Sequence, residues 1–321
     1  MSPPPDVADP ARAAILLMAY GSPATLADVG TYYTHVRGGR PPATEQVEEL
    51  QARYRAIGGT SPLLSITRRQ ADALAARTGL PVYVGMKHWH PFIAETVAEM
   101  QAGGIARAVA IALAPHYSRM SIGGYVKAVA ESVERAGGPE MAYVESWHLH
   151  PRFLNALTER VEEARGRLRD PHSAPVVFTA HSLPQRILEW GDPYVTQLQE
   201  TAAAVARAAG TAQWSIAFQS ASATGEPWLG PDILDVLRQL HATGAREVVV
   251  CPAGFVADHL EVLHDLDIQA RHLADSLGMR LIRTESLNAS PRFIDALADI
   301  AAGALGGQVA RGTPQAHPTR G

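Results

Sequence analysis

"PFIAETVAEMQAGGIARAVAIALAP" (residues 91–115) and "PDILDVLRQLHATGAREVVVCP" (residues 231–252) follow one pattern: proline, amphipathic helix, glycine, basic residue, apolar strand, proline. Proline at the start and glycine at the end punctuate each helix. The strand that follows is continuously apolar rather than alternating, as expected of a strand covered on both faces. A unit of this kind occurring twice predicts two similar domains rather than one large sheet.

The rest of the chain extends the pattern. Apolar runs recur at "AAILLMA" (13–19), "PVYVGM" (81–86), "PVVFTA" (175–180) and "WSIAF" (214–218), with helical stretches between them. Strand alternating with helix argues for parallel α/β sheets. "LLMAYGSP" (16–23) and "VFTAHSLP" (177–184) also match: strand, alanine, a ring-bearing residue, a small residue and a nearby proline. The expected fold class is therefore α/β, with two similar Rossmann-like domains, each a parallel sheet flanked by helices, and a cleft between them. The boundary is expected near "SWHLHP" (146–151). This gives an N-terminal domain over 12–148 and a C-terminal domain over 149–305, whose last helix is free to pack back on the first. Residues 1–11 and 306–321, rich in Pro, Gly and polar residues, read as disordered tails.

Composition excludes several classes. With 321 residues, 46% hydrophobic and 19% charged, the chain has ordinary globular composition and length enough for two domains. A net charge of −4 supplies no basic field for nucleic acid, which is set aside as a partner. A single cysteine, Cys251, rules out an internal disulfide and any cysteine-built zinc or iron–sulfur site. The start, "MSPPPDVADPARA", lacks the basic and apolar regions of a signal peptide, and no run has the length of a spanning helix. A soluble cytoplasmic protein with no integral membrane segment is the expectation.

Ligands of open parallel sheets bind beyond the carboxyl ends of the strands. The unusual residues collect there: Tyr20 after the first run, "PHYS" (115–118), His181, Gln219 with Ser220, and "PAGFVADHLE" (252–261). For His181 the structural alternative is a strand-end histidine satisfied by backbone hydrogen bonds. Glu261 has capping-box spacing from Asp258 at the start of a helix expected near Asp258, so its structural alternative is a residue that closes a helix end. Glu261 and Asp265 would share a helix face, at a cost that a helix would not bear for its own stability. His88 and His90 are spaced to suit a strand-borne metal pair but lack a third ligand. His116 is open to either reading, and His259 reads as structural. "GGTSP" (58–62) has neither the spacing nor the lysine of a P-loop, and no GxGxxG follows the first strand. Ser182 lacks the glycine elbow of a serine hydrolase.

Taken together, "YYTHVRGGRPP" (32–42), "RYRAIGGTSPL" (53–63), "GMKHWHPFI" (85–93), "LAPHYS" (113–118), "TAHSLP" (179–184), "GDPY" (191–194), "FQSASATGEPWLGPD" (218–232) and "GFVADHLEVLHDLD" (254–267) resemble the ferrochelatase family, which inserts ferrous iron into a porphyrin in haem biosynthesis. The resemblance runs from about residue 14 to about 300, in order. It implies a porphyrin cleft between the two domains, Fe²⁺ as a substrate rather than a resident cofactor, and no iron–sulfur cluster. His181 and Glu261 match the family's catalytic pair, which also receives the metal. Tyr20, in "MAYGSP", resembles the soluble, coproporphyrin-using branch, where a tyrosine faces the metal from the side opposite the histidine. Arg37, Arg53, Ser61 and Tyr125 match residues able to receive propionates by charge-assisted hydrogen bonds. The chemistry calls for a neutral imidazole and a carboxylate, because two inner porphyrin protons must leave as the metal enters. The implied product is coprohaem, made by a monomer. The alternatives are a protoporphyrin IX ferrochelatase, a chelatase for another tetrapyrrole, or a porphyrin carrier without turnover. One departure stands out: Gln269 interrupts the acidic line from Glu261 through Asp265 where the family tends to carry an acid, and His264 stands where it tends to carry a tyrosine. An outer metal site at Arg53 and Asp265 is weakened accordingly.

Overall fold

Eight strands form two separate sheets. β1 (Ala13–Ala19), β2 (Val82–Met86), β3 (Arg107–Ala112) and β4 (Glu140–Val144) are ordered β2-β1-β3-β4. β5 (Val176–His181), β6 (Trp214–Gln219), β7 (Glu247–Cys251) and β8 (Arg280–Arg283) are ordered β6-β5-β7-β8. All pairings are parallel. These features come from a computed structural model that describes residues 13–171, 173–222 and 225–306. Apart from Gly306, the expected tails at 1–11 and 306–321 lie outside the described residues.

The two sheets share one strand order, and the two repeats quoted above occupy equivalent places in them. Helix Ile93–Ala102 leads to β3 and helix Ile233–Ala242 leads to β7. The prolines do not sit in the first turn of these helices, as the sequence pattern suggested. Pro91 and Pro231 lie two residues ahead, and their carbonyls accept from Met86 N at 2.7 Å and Phe218 N at 2.9 Å. Each proline thus ties the entry of its helix to the end of an edge strand. Two strands escaped the sequence reading. β4 and β8 are short edge strands carrying charged residues, Glu140 in one and Arg280 and Arg283 in the other. Charge on a short edge blunts unwanted pairing and also erases the apolar signature.

The core explains why the halves form one body. β1 is buried along its whole length, and Ile15 and Leu17 join a single apolar cluster with Phe178 of β5 and Val249 of β7. Helix Pro291–Leu305 supplies Phe293, Ile294, Leu297 and Ile300 to that cluster and packs on helix Leu63–Thr78 and on β3 and β4 of the first sheet. Arg77 Nε meets Asp295 Oδ1 at 2.6 Å on the same seam. Where the chain passes from one sheet to the other, Trp147 is buried, its ring edge-on to Phe153 at 4.8 Å, and its indole N–H donates to the Ala112 carbonyl at 3.1 Å. A buried aromatic with its polar atom satisfied is a strong local anchor.

Candidate active site

In each sheet the first strand lies between its two successors, so the topology switches between β1 and β3 and again between β5 and β7. Open parallel sheets take ligands at such switch points. His181 is the last residue of β5, and Glu261 sits in the segment that follows β7. Gly254 brings that segment close: a Cβ there would lie 2.5 Å from Ala180 Cβ and 2.9 Å from Ala180 Cα, a spacing only glycine permits. Gly254 N also donates to the Thr179 carbonyl at 3.0 Å.

This approach sets His181 Nε2 3.4 Å from Glu261 Oε1, with His259 Nε2 3.5 Å from Glu261 Oε2. The other imidazole nitrogen of His181, Nδ1, donates to the Ser182 carbonyl, and Tyr194 Oη donates to the His181 carbonyl at 2.9 Å. His181 therefore has its backbone bond and still presents Nε2 to the carboxylate, so the two sequence alternatives coexist. Burial works against the imidazolium, yet the Glu261 carboxylate and the Ser182 carbonyl outweigh it and hold His181 up at about 9. Burial likewise opposes the Glu261 carboxylate, but His181 and His259 hold it well below the usual carboxylate range. At neutral pH the resting pair is imidazolium and carboxylate. The neutral imidazole required by the chemistry is thus not the resting form.

The capping alternative for Glu261 is not what the structure contains. The helix begins at residue 260, near Asp258 as expected but one residue too late for Asp258 to be its cap. The Asp258 carboxylate accepts from Ser286 Oγ at 2.7 Å and Asn288 Nδ2 at 2.9 Å and lies 3.3 Å from Arg283 Nη1. Residues Val262–Ala270 then form a π-helix, an uncommon ladder often found at functional sites. Asp265 in this segment bonds Ser220 Oγ and, at 3.0 Å, His264 Nδ1. Arg53 shares a pocket with Gln219, Ser220, Asp232, Asp265 and Gln269. Its guanidinium is also held by Glu49 at 2.8 Å.

Tyr20 follows β1 and is 42% exposed, its ring 4.5 Å from that of His88. Exposed as the residue is at one side, the protein crowded around its phenol and, after that, the Glu261 charge push Tyr20 above the ordinary phenol range. Burial, then Tyr20 and the Glu261 charge, push Tyr125 up in the same direction. Tyr125 itself is only 5% exposed, and Lys87 Nζ sits over its ring at 5.0 Å. Arg37 ends helix Val29–Val36, with Nη1 donating to Gln46 Oε1 at 3.2 Å, while its Nε is buried without a partner. Ser61 Oγ accepts from Leu63 N at 3.3 Å at the start of helix Leu63–Thr78.

The structure does not bring His88 and His90 together as a metal pair. They follow β2 rather than lie on it. His88 Nδ1 lies 3.1 Å from His35 Nδ1, and burial holds His88 down at about 3. His90 turns outward to Glu95 at 2.9 Å. Among the described residues no group of three or more His, Cys, Asp or Glu side chains is arranged to hold a metal ion. His116 is buried between the domains, bonded through Nε2 to Thr201 Oγ1 at 3.0 Å. His259, read from sequence as structural, is the residue that reading missed. Its place two residues before Glu261 was the available signal.

Two helix-flanked parallel sheets of one strand order are the architecture of a chelatase-type fold. SirB from Bacillus subtilis with Fe³⁺ superposes with a TM-score of 0.60 at 12% identity, over 92% of this chain and 98% of that one. The chain belongs to the ferrochelatase family, whose model matches residues 12–305. It is 45% identical to a ferrochelatase of Herpetosiphon aurantiacus, over 91% of this chain and 99% of that protein. It is also 45% identical to a coproporphyrin III ferrochelatase of Anoxybacillus flavithermus, over 89% of this chain and 94% of that protein. It is accordingly an enzyme that inserts metal into a porphyrin.

Proposed function

We propose that the protein inserts ferrous iron into coproporphyrin III, giving coprohaem, with His181 and Glu261 reacting at one face of the macrocycle and Tyr20 at the other. The observation that carries this reading is the His181–Glu261 contact of 3.4 Å at the β5–β7 switch point, with Tyr20 coming off β1. The relative from Anoxybacillus flavithermus supports the choice of porphyrin.

The chemistry follows from the charges of the pair. Free porphyrin carries two inner N–H protons, and both must leave as Fe²⁺ enters. The imidazolium of His181 cannot accept a proton while Glu261 holds it charged. A dication beside the Glu261 carboxylate cancels the field that raised His181, so the imidazolium releases its proton to solvent and the neutral imidazole takes one pyrrole proton, passes it to solvent, and then takes the second. With Nδ1 of His181 on the Ser182 carbonyl, its Nε2 can meet iron or a proton but not both at once, so while it acts as the base the Glu261 oxygens are the donors that ferrous iron accepts. Arg37, Arg53, Ser61 and Tyr125 are proposed to meet propionates, as Lys87 over Tyr125 lends the last of these a positive neighbour. The enzyme is proposed to act as a cytoplasmic monomer. Among the described residues no helix is long and apolar enough to cross a membrane.

The test is kcat/KM for coproporphyrin III and protoporphyrin IX with anaerobic Fe²⁺. Coproporphyrin has two more carboxylates, each worth about 1.5–3 kcal/mol when well received, so a preference of at least about tenfold is expected. Equal or inverted ratios overturn the substrate assignment. His181→Ala in the same assay should lose a factor of roughly 10² to 10⁴. A variant that keeps a tenth or more of wild-type turnover overturns the role of His181.

A further inference from the structure

Gln219 ends β6 directly opposite His181 of β5 in the strand register. Its side chain is 1% exposed and that of Thr179 is fully buried. Thr179 Oγ1 donates to Gln219 Oε1 at 2.9 Å, and Gln219 Nε2 donates to the Glu261 main-chain carbonyl at 3.1 Å. The orientation of the amide is dictated by chemistry, because a carbonyl can only accept and therefore must face the NH₂. The Gln219 main-chain carbonyl accepts from Ser182 N at 2.8 Å. One residue thus grips the chain on both sides of His181 and reaches from there to Glu261.

The far end of that reach is a sensitive place. Glu261 is the last residue before the helix ladder widens into the π form at Val262. A carbonyl at such a junction can be taken by a side chain, and a buried amide with both ends used holds its partners rigidly, since leaving either end unpaired is costly. His181 and Glu261 stand on different elements, and their contact is only as exact as the link between those elements.

We propose that Gln219 is a positioning residue for metal insertion: its amide joins Thr179, on the strand that carries His181, to the carbonyl of Glu261, and so fixes the separation of the two reacting side chains. This rests on the reading of His181 and Glu261 as the reacting pair. Gln219 itself touches neither iron nor porphyrin in this account. Its loss should slow insertion while substrate binding stays as it was.

The experiment compares Gln219→Leu, which keeps bulk and loses the amide, with Thr179→Val, which keeps shape and loses only the hydroxyl. Misplacing a reacting group by about 1 Å can cost 10²-fold. Gln219→Leu is expected to lower kcat about 10- to 100-fold with the porphyrin KM within about twofold of wild type, and Thr179→Val to lower it in the same sense. Members of one network are not additive, so the double variant should be no slower than Gln219→Leu, and Gln219→Leu should cost nothing further in an Glu261→Ala background. A kcat within about twofold of wild type for the single variants overturns the proposal. A raised porphyrin KM with kcat retained, or a full additional loss on top of Glu261→Ala, does the same. If Gln219→Leu fails to fold, Thr179→Val decides alone. His181→Ala and Glu261→Gln are run alongside. Full activity in those two refutes the reacting pair, whereas their inactivity beside an active Gln219→Leu refutes only the positioning role.

Discussion

Glu261→Gln removes the charge that keeps His181 protonated, and the consequence is measurable in the resting protein without iron or porphyrin. In the wild type, burial is the largest influence on His181 and disfavours the imidazolium. The Glu261 charge and hydrogen bond reverse it, with help from the Ser182 carbonyl and Asp265, and hold the midpoint at about 9. Without the carboxylate charge, burial faces only the two weaker supports, and the midpoint should fall to about 6.5 or lower. At pH 7.5 the protonated fraction then drops from about 97% to about 10% or less. Imidazole ¹⁵N resonances of histidine-labelled protein, with the His181 signals assigned by its loss in His181→Asn, give the midpoint directly. Stability should follow. His181 titrates higher folded than unfolded, so its contribution is complete below about 6.5 and is lost as pH rises through about 9. Glu261 titrates lower folded than unfolded, so its contribution is complete above about 4.5 and is lost as pH falls below that. The stability gap between wild type and variant should therefore be widest between about pH 4.5 and 6.5 and narrow on both sides. A His181 midpoint still at 8 or above in Glu261→Gln, or a gap that widens above pH 9, would refute the coupling.

Gly254→Ala should destabilise by about 1–3 kcal/mol, read as a lower midpoint in denaturant, because its Cβ would press on Ala180 at 2.5 Å beside His181; an unchanged midpoint would show that the loop can retreat. Asp258→Ala should cost about 1.5–3 kcal/mol, seen by calorimetry, since Ser286, Asn288 and Arg283 all lose a charged acceptor. If Asp258 were instead a simple cap of the following helix, Asp258→Ser would restore the loss, and it is expected not to. Arg37→Ala should narrow the ratio of kcat/KM between coproporphyrin III and protoporphyrin IX, because a porphyrin lacking the relevant propionate never used the arginine; an unchanged ratio removes Arg37 from the propionate set.

What the sequence determined by itself was the local pattern. Continuous apolar runs separated by amphipathic helices specify covered parallel strands, and their repetition specifies two similar sheets. Strand-end and capping positions made His181 and Glu261 candidates with structural alternatives still open, and it was the resemblance carried by "TAHSLP", "DHLE" and the other motifs that matched them to a reacting pair. Short edge strands β4 and β8 stayed hidden because their charges interrupt the apolar run. Other features were decided by the tertiary structure alone. Asp258 and Glu261 have the spacing of a helix cap, but Arg283, Ser286 and Asn288 arrive from β8 and the loop beyond to take the aspartate, leaving Glu261 to the histidines. The positive neighbour of Tyr125 is another such feature, for the packing of helix Ile122–Ala136 places its ring under Lys87. The charge state of His181 is the plainest case, for an imidazole that titrates near 6.5 alone is driven to about 9 by a carboxylate eighty residues away in the chain. Spacing within a helix or strand is written in the order of residues, whereas the field at a buried nitrogen depends on which distant segments pack against it, and only the folded chain brings those together.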